Sequence, residues 1–168
     1  MEFVLPFLLT ALIPMVVGFV YYSPPVAGNA WMKTNGFTTE DLAGGNMALI
    51  LGLCYVLALL LTFPLWQLVV HQTGVYGTLA MIDGFGVEGS EIETYYQNFM
   101  AMHGDNHRTF GHGALHGGFM GGLGVALPII GINSLFERRG WKYIAIHTVY
   151  WVITLALMGG VLCQFTIR

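Results

Sequence analysis

Residues 47–70 read MALILGLCYVLALLLTFPLWQLVV, a run without a single Asp, Glu, Lys or Arg. Coiled as a helix rising about 1.5 Å per residue, it reaches across the ~30 Å hydrocarbon core of a bilayer. Backbone amides in lipid find no water, so a spanning segment must satisfy its hydrogen bonds internally. Three further runs meet the same test: 3–22, 110–136 and 143–167. A transmembrane barrel is excluded, because its strands are short and alternate apolar with polar residues. The chain therefore reads as an all-α membrane protein, one domain over 1–168, with four transmembrane helices. A helix-containing segment, 71–109, joins the second and third.

Composition agrees. Of 168 residues, 9% are charged and 55% hydrophobic, where a soluble chain carries about 25% charge. Such a chain cannot cover its own surface in water, whereas a lipid bilayer as partner accepts an apolar exterior. The net charge of −3 argues against a nucleic-acid partner. Ser23-Pro24-Pro25 offers no small-x-small cleavage site, so the first run reads as a retained helix. Cys54 and Cys163 lie in separate apolar runs near opposite faces, too far apart for a disulfide, and read as inert buried thiols.

Lys and Arg set the orientation. Residues 23–46 and 137–142 share one face and hold Lys33, Arg138, Arg139 and Lys142; the other face holds Arg108 and Arg168. This bias places both termini outside the cytoplasm and makes 71–109 extracytoplasmic. That segment is also the acidic one, with Asp83, Glu88, Glu91, Glu93 and Asp105. Ser90 is placed to cap a helix over 91–103, ended by Gly104, while 75–89 reads as a Gly-rich loop. Thr38 and Asp41 have capping-box spacing. Pro14, Pro64 and Pro128 each remove a backbone donor and predict kinks, freeing the carbonyls of Thr10, Leu60 and Gly124.

Histidine carries the chemical content. His71, His103, His107, His112 and His116 fall on the acidic face. His112 and His116 are four apart, so a helix stacks them on one side, one turn apart. That arrangement offers two imidazoles to one metal ion. His107, Asp105 and His71 are candidates to complete a Zn²⁺ or copper site, and Met100 and Met102 beside His103 add thioethers that suit Cu(I). The competing reading is equally physical: neutral histidines hydrogen-bond between helices, and methionines fill gaps on an amphipathic face. His147 lies near the other end of the fourth span, very roughly 20 Å deeper than His116, and cannot share that metal. No carboxylate lies within a span, which weakens a proton-pump reading. Nucleotide-binding loops, nucleophile elbows and HExxH motifs are lacking.

Gly113, Gly117 and Gly121, with Gly118 and Gly122, repeat every four residues. This spacing admits a second helix at close range, either within the chain, with Gly159-Gly160 opposite, or across a homo-oligomer or membrane-complex seam. The stretches Gly18-Phe19-Val20-Tyr21-Tyr22-Ser23-Pro24 and Gly28-Asn29-Ala30-Trp31-Met32-Lys33, and the run from Ala126-Leu127-Pro128 through Glu137-Arg138-Arg139-Gly140-Trp141-Lys142-Tyr143, resemble domain of unknown function 1761. That is a bacterial membrane family, and the likeness is nearest to its Bacteroidetes-type members. Its pattern has Trp-Tyr where this chain has Tyr21-Tyr22. The resemblance covers nearly the whole chain and implies a small four-helix protein of the bacterial inner membrane; it supplies no activity, cofactor or catalytic residue.

Three functional readings stand: a non-enzymatic accessory membrane protein, which the lack of intramembrane charge favours; a metal-binding protein using the histidine cluster; and a small oligomeric transporter or channel. The orientation is directly testable. A reporter active only outside the cytoplasm should work when fused after Gly89 and fail after Lys33; the reverse pattern overturns the assignment.

Overall fold

The computed structural model describes residues 4–166. Every regular element among them is helical, in the order α1 (Val4–Thr10), α2 (Ile13–Tyr21), α3 (Asn29–Asn35), α4 (Thr39–Ala43), α5 (Met47–Val69), α6 (Gln72–Leu79), α7 (Glu91–His103), α8 (Phe110–His116), α9 (Leu127–Phe136) and α10 (Trp141–Phe165). Two π-helical stretches, Pro24–Gly28 and Gly117–Ala126, adjoin α3 and link α8 to α9. Four helical stretches are long and apolar enough to cross a membrane: Val4–Tyr21, Met47–Val69, Phe110–Phe136 and Trp141–Phe165. The sequence assignment of four spans holds.

The first span tightens at Ala11 and Leu12 without leaving the right-handed helical region, Leu12 keeping φ −78° and ψ −22°. There Leu12 N–H bonds the Leu9 carbonyl and Met15 N–H the Leu12 carbonyl, both at 3.1 Å. Pro14 explains this: it has no N–H to bond Thr10, and its ring collides with that carbonyl. Pro64 sits inside an uninterrupted α5. Near Pro128 the response differs again, because glycine is abundant. The chain winds wide over Gly117–Ala126, and Leu127 N–H bonds the Gly122 carbonyl five residues back. Altered helical bonding thus accompanies Pro14 and precedes Pro128, while α5 runs through Pro64 as one helix.

α10 is the axis of the bundle. Buried residues make up 39% of its most apolar stretch, against 17% in each other span. Leu65 and Val69 of α5, followed by Val70, meet Leu155, Met158, Leu162 and Cys163 of α10 in the main apolar core. The glycine stripe of the third span packs on the same helix of the same chain. A methyl group at Gly113 would strike the Gly159 carbonyl, and one at Gly117 the Leu155 carbonyl. At Gly122 it would lie 2.7 Å from the Val152 backbone, and at Gly160 2.6 Å from the Phe110 ring. Gly121 has more room, its nearest neighbour being the Leu155 side chain at 3.4 Å.

Short elements complete the faces. Thr38 caps α4 as its spacing implied: Asp41 N–H donates to Thr38 Oγ1 at 3.3 Å and Thr38 N–H to Asp41 Oδ2 at 2.8 Å. Ser90 caps α7 through a bond from Glu93 N–H at 3.2 Å. Residues 75–89 are not all loop, since α6 runs to Leu79 before turns that use Gly84, Gly86 and Gly89 at positive φ. Gln97 Nε2 and Gly86 N–H both donate to the Glu93 carboxylate, holding it below its ordinary pKa. Cys54 is exposed on α5, contrary to the buried reading; Cys163 is buried. Hydrophobicity of a run does not say which side of its helix meets protein.

Because Gly117 abuts backbone, Gly117→Leu should cost at least the ~1–3 kcal/mol of an overpacked core. Gly131, with nothing within 4 Å of its added methyl, should tolerate Ala or gain up to about 1 kcal/mol. Thermal unfolding in detergent checks both.

Candidate metal site

α5 ends at Val69, and Val70 turns extended, at φ −110° and ψ 98°. That turn sets His71 at the head of α6. Across from it, Thr109 caps α8, accepting from His112 N–H at 3.2 Å. The cap fixes where the helix begins, and so places His112 and His116 one turn apart with ring centroids 4.1 Å from each other. The His71 ring completes a triangle, 5.0 Å from that of His112 and 5.2 Å from that of His116. One ligand nitrogen from each of these three lies within 4.8 Å of the other two.

Hydrogen bonds set the state of the rings. His116 Nδ1 lies 3.1 Å from the His112 carbonyl. A carbonyl only accepts, so Nδ1 carries the proton and Nε2 presents a lone pair. Metal-bound histidines are commonly oriented by such a bond. His71 Nε2 and His112 Nε2 are 2.8 Å apart, so one donates to the other. A tetrahedral Zn²⁺ with bonds of about 2.0–2.1 Å places its ligand nitrogens ~3.3 Å apart. A small ring rotation and a tautomer change at the donor would convert the pair into ligands. Partial burial and the charges of His116 and His107 hold His71 below its ordinary pKa, which favours the neutral ring that binds metal.

The remaining sequence candidates lie around this triangle. The His107 ring is 4.9 Å from that of His112 and 6.0 Å from that of His71, outside the set of converging nitrogens. Its backbone is left-handed, φ 62°, a conformation His adopts more readily than most residues. His103, His107 and His71 line one cleft of about 180 Å³. Asp105 borders a different cavity, together with Met100 and Arg108, and is not among the converging three. The converging donor set is therefore all nitrogen. His147 is at the other end of the bundle, where the Tyr22 hydroxyl meets its Nδ1 at 3.1 Å.

Two supporting residues escaped the sequence reading. Gln72 Nε2 donates to the carbonyls of Gly104 and Asn106, both at 2.9 Å, and ties the His103–His107 turn to α6. Arg108 is buried and donates to the carbonyl of Thr166, just past the end of α10; Trp66 Nε1 reaches the Thr166 hydroxyl at 2.9 Å. The clue to Arg108 was its position: it is the lone basic residue between 71 and 109 apart from the histidines.

A protein-family model described as protein of unknown function (DUF1761) matches residues 5–163. The chain belongs to this family. No curated protein and no solved structure matches it.

The triangle makes stability depend on pH. The folded His71 pKa is depressed, so the unfolded chain takes up the proton first. Stability is complete above the ordinary value near 6.5 and declines as pH falls below it. Metal-free protein should melt at a lower temperature at pH 5 than at pH 7.5, and His71→Gln should narrow that difference.

Proposed function

We propose that this protein binds a divalent transition metal, Zn²⁺ first and copper second, through His71, His112 and His116 at the extracytoplasmic face of the bacterial inner membrane. The observation that carries the reading is the approach of three imidazole nitrogens to within 4.8 Å, one of them already oriented by a backbone carbonyl. Three ligands leave a fourth position open to water or to a passing donor, and His107 is the nearest further imidazole. No carboxylate stands among the three to act as a general base, so the reading is of binding and handling rather than hydrolysis. Asp105 and the other acids of the 71–109 segment raise the local concentration of cations.

Exposed Arg138, Arg139 and Lys142 on the opposite face support the orientation. The burial of Arg108 against a helix end supports it too, since that guanidinium is bonded to backbone inside the fold rather than displayed on the face. An accessory role without metal draws on one observation, the His71–His112 bond itself, which already satisfies two rings.

Metal analysis separates the two. Wild-type protein loaded with Zn²⁺ and desalted should retain metal, and His112→Gln with His116→Gln should lose it. Binding should weaken as pH falls through about 6.5, because only neutral imidazole ligates. Retention in the double variant equal to wild type overturns the reading.

A further inference from the structure

A second and larger space lies beyond Gln72 from the histidines. It encloses about 1000 Å³, the upper end of the range for ligand pockets. Phe63 and Trp66, on the last turns of α5, line part of it. At 1.5 Å per residue, Phe63 sits roughly 9 Å along the helix from Val69, within the hydrocarbon layer. Tyr76 of α6 and Tyr96 of α7, beyond the end of the span, line another part. The space thus joins acyl-chain depth to the membrane surface, and the molecule that matches it is an amphiphile from the bilayer.

Charge narrows the class by its balance. The lining holds one carboxylate, Asp105, and one guanidinium, Arg108. Both are already partnered within the fold, Arg108 at the Thr166 carbonyl. A charged head of either sign would shed its water with no free counter-charge to meet it, which is costly. That sets phospholipids aside and leaves the uncharged amphiphiles of a membrane: quinones, glycerides and isoprenoid alcohols.

The remaining polar groups and the aromatic walls choose among these. The Tyr76 and Tyr96 hydroxyls make no hydrogen bond among the described residues. Burial first, then the neighbouring Tyr76 and Glu93, push the Tyr96 phenol above its ordinary pKa, so it keeps its proton. An alcohol head would bring one more hydroxyl, whereas a quinone brings two ring carbonyls that only accept. Phe63 and Trp66 stand with ring centroids 5.9 Å apart, Tyr76 and Tyr96 6.2 Å apart. The Trp66 N–H is turned to Thr166, so the indole has its apolar surface to offer. A flat, electron-poor quinone ring gains offset stacking against electron-rich rings; the tetrahedral carbons of a glyceride head do not.

We propose that this cavity holds the head of a membrane quinone, its ring beside Trp66 and its carbonyls accepting from the Tyr76 and Tyr96 phenols. The tail leaves past Phe63 toward the bilayer interior. The site uses none of the three converging histidines and stands or falls separately from metal binding.

Trp66 is the reporter, since an oxidised quinone in contact with an indole quenches its fluorescence. The full chain, in vesicles of zwitterionic lipid, is titrated with a benzoquinone bearing a decyl tail. Quenching should contain a saturable part, lost in Trp66→Phe and in Ala101→Phe, whose ring fills the cavity. Tyr76→Phe and Tyr96→Phe, which remove one oxygen each, should each weaken apparent affinity about fivefold, the worth of one neutral hydrogen bond. Tyr95→Phe, on the same helix but outside the lining, should leave it unchanged. Decylbenzene, which lacks the carbonyls, and a diacylglycerol should fail to displace the quinone. Quenching that rises without saturation, a saturable part that survives Trp66→Phe or Ala101→Phe, or wild-type affinity in both phenol variants overturns the proposal. So does displacement by decylbenzene or diacylglycerol at concentrations equal to the quinone, or an equal loss in Tyr95→Phe.

Discussion

The contact between the third span and α10 is backbone against backbone, and the rest of the molecule is arranged around it. Where side chains separate two helices, their positions can drift with the packing of those side chains. Where a methyl at Gly113 or Gly117 would already strike a carbonyl, the two axes are held at one distance and one register. In lipid, close van der Waals approach replaces the hydrophobic drive that pairs helices in water. The glycine seam therefore fixes α8, and with α8 the pair His112 and His116.

The His71 side of the triangle is fixed by different means. α5 meets α10 through side chains, Leu65 and Val69 against Leu155, Met158 and Leu162. Above that core the polar contacts begin. Trp66 and Arg108 both reach Thr166, and the Cys163 thiol donates to the carbonyls of Val69 and His107 at 3.4 and 3.3 Å. These bonds join the end of α5, the start of the third span and the end of α10 into one rigid rim. His71 and His107 stand on that rim, so the position of each imidazole is set by groups with no metal chemistry of their own.

Much of this was legible in the sequence, for reasons that can be stated. Apolar length alone gives the four spans, because lipid permits no other use for such runs. Ser90, Thr38 and Gly104 mark helix ends through local bonds that reach only three or four residues. The spacing of His112 and His116 is a property of one helix and could be read from one. The arrival of His71 could be named but not placed, since it depends on how two helices cross. Arg108 and Gln72 bond groups that only the tertiary fold brings near, and no periodicity announces them. The exposure of Cys54 was lost for a related reason: in a membrane protein, the protein-facing and lipid-facing sides of a helix are equally apolar.

The π-helical stretch Gly117–Ala126 has the arithmetic of an insertion. It carries more residues per turn than the α-helices on either side, so the chain before it and the chain after it are out of step with a single ideal helix. Each residue added to or removed from an α-helix turns what precedes it by about 100°. A chain shortened by one residue here, with its wide coil otherwise kept, would turn its start by roughly a quarter turn. With α9 and α10 left in place, the His112–His116 pair would swing off the bundle axis and away from His71. The widened coil thus acts as a phase setting between the two halves of the span, and length, more than composition, is what this part of the sequence has to keep.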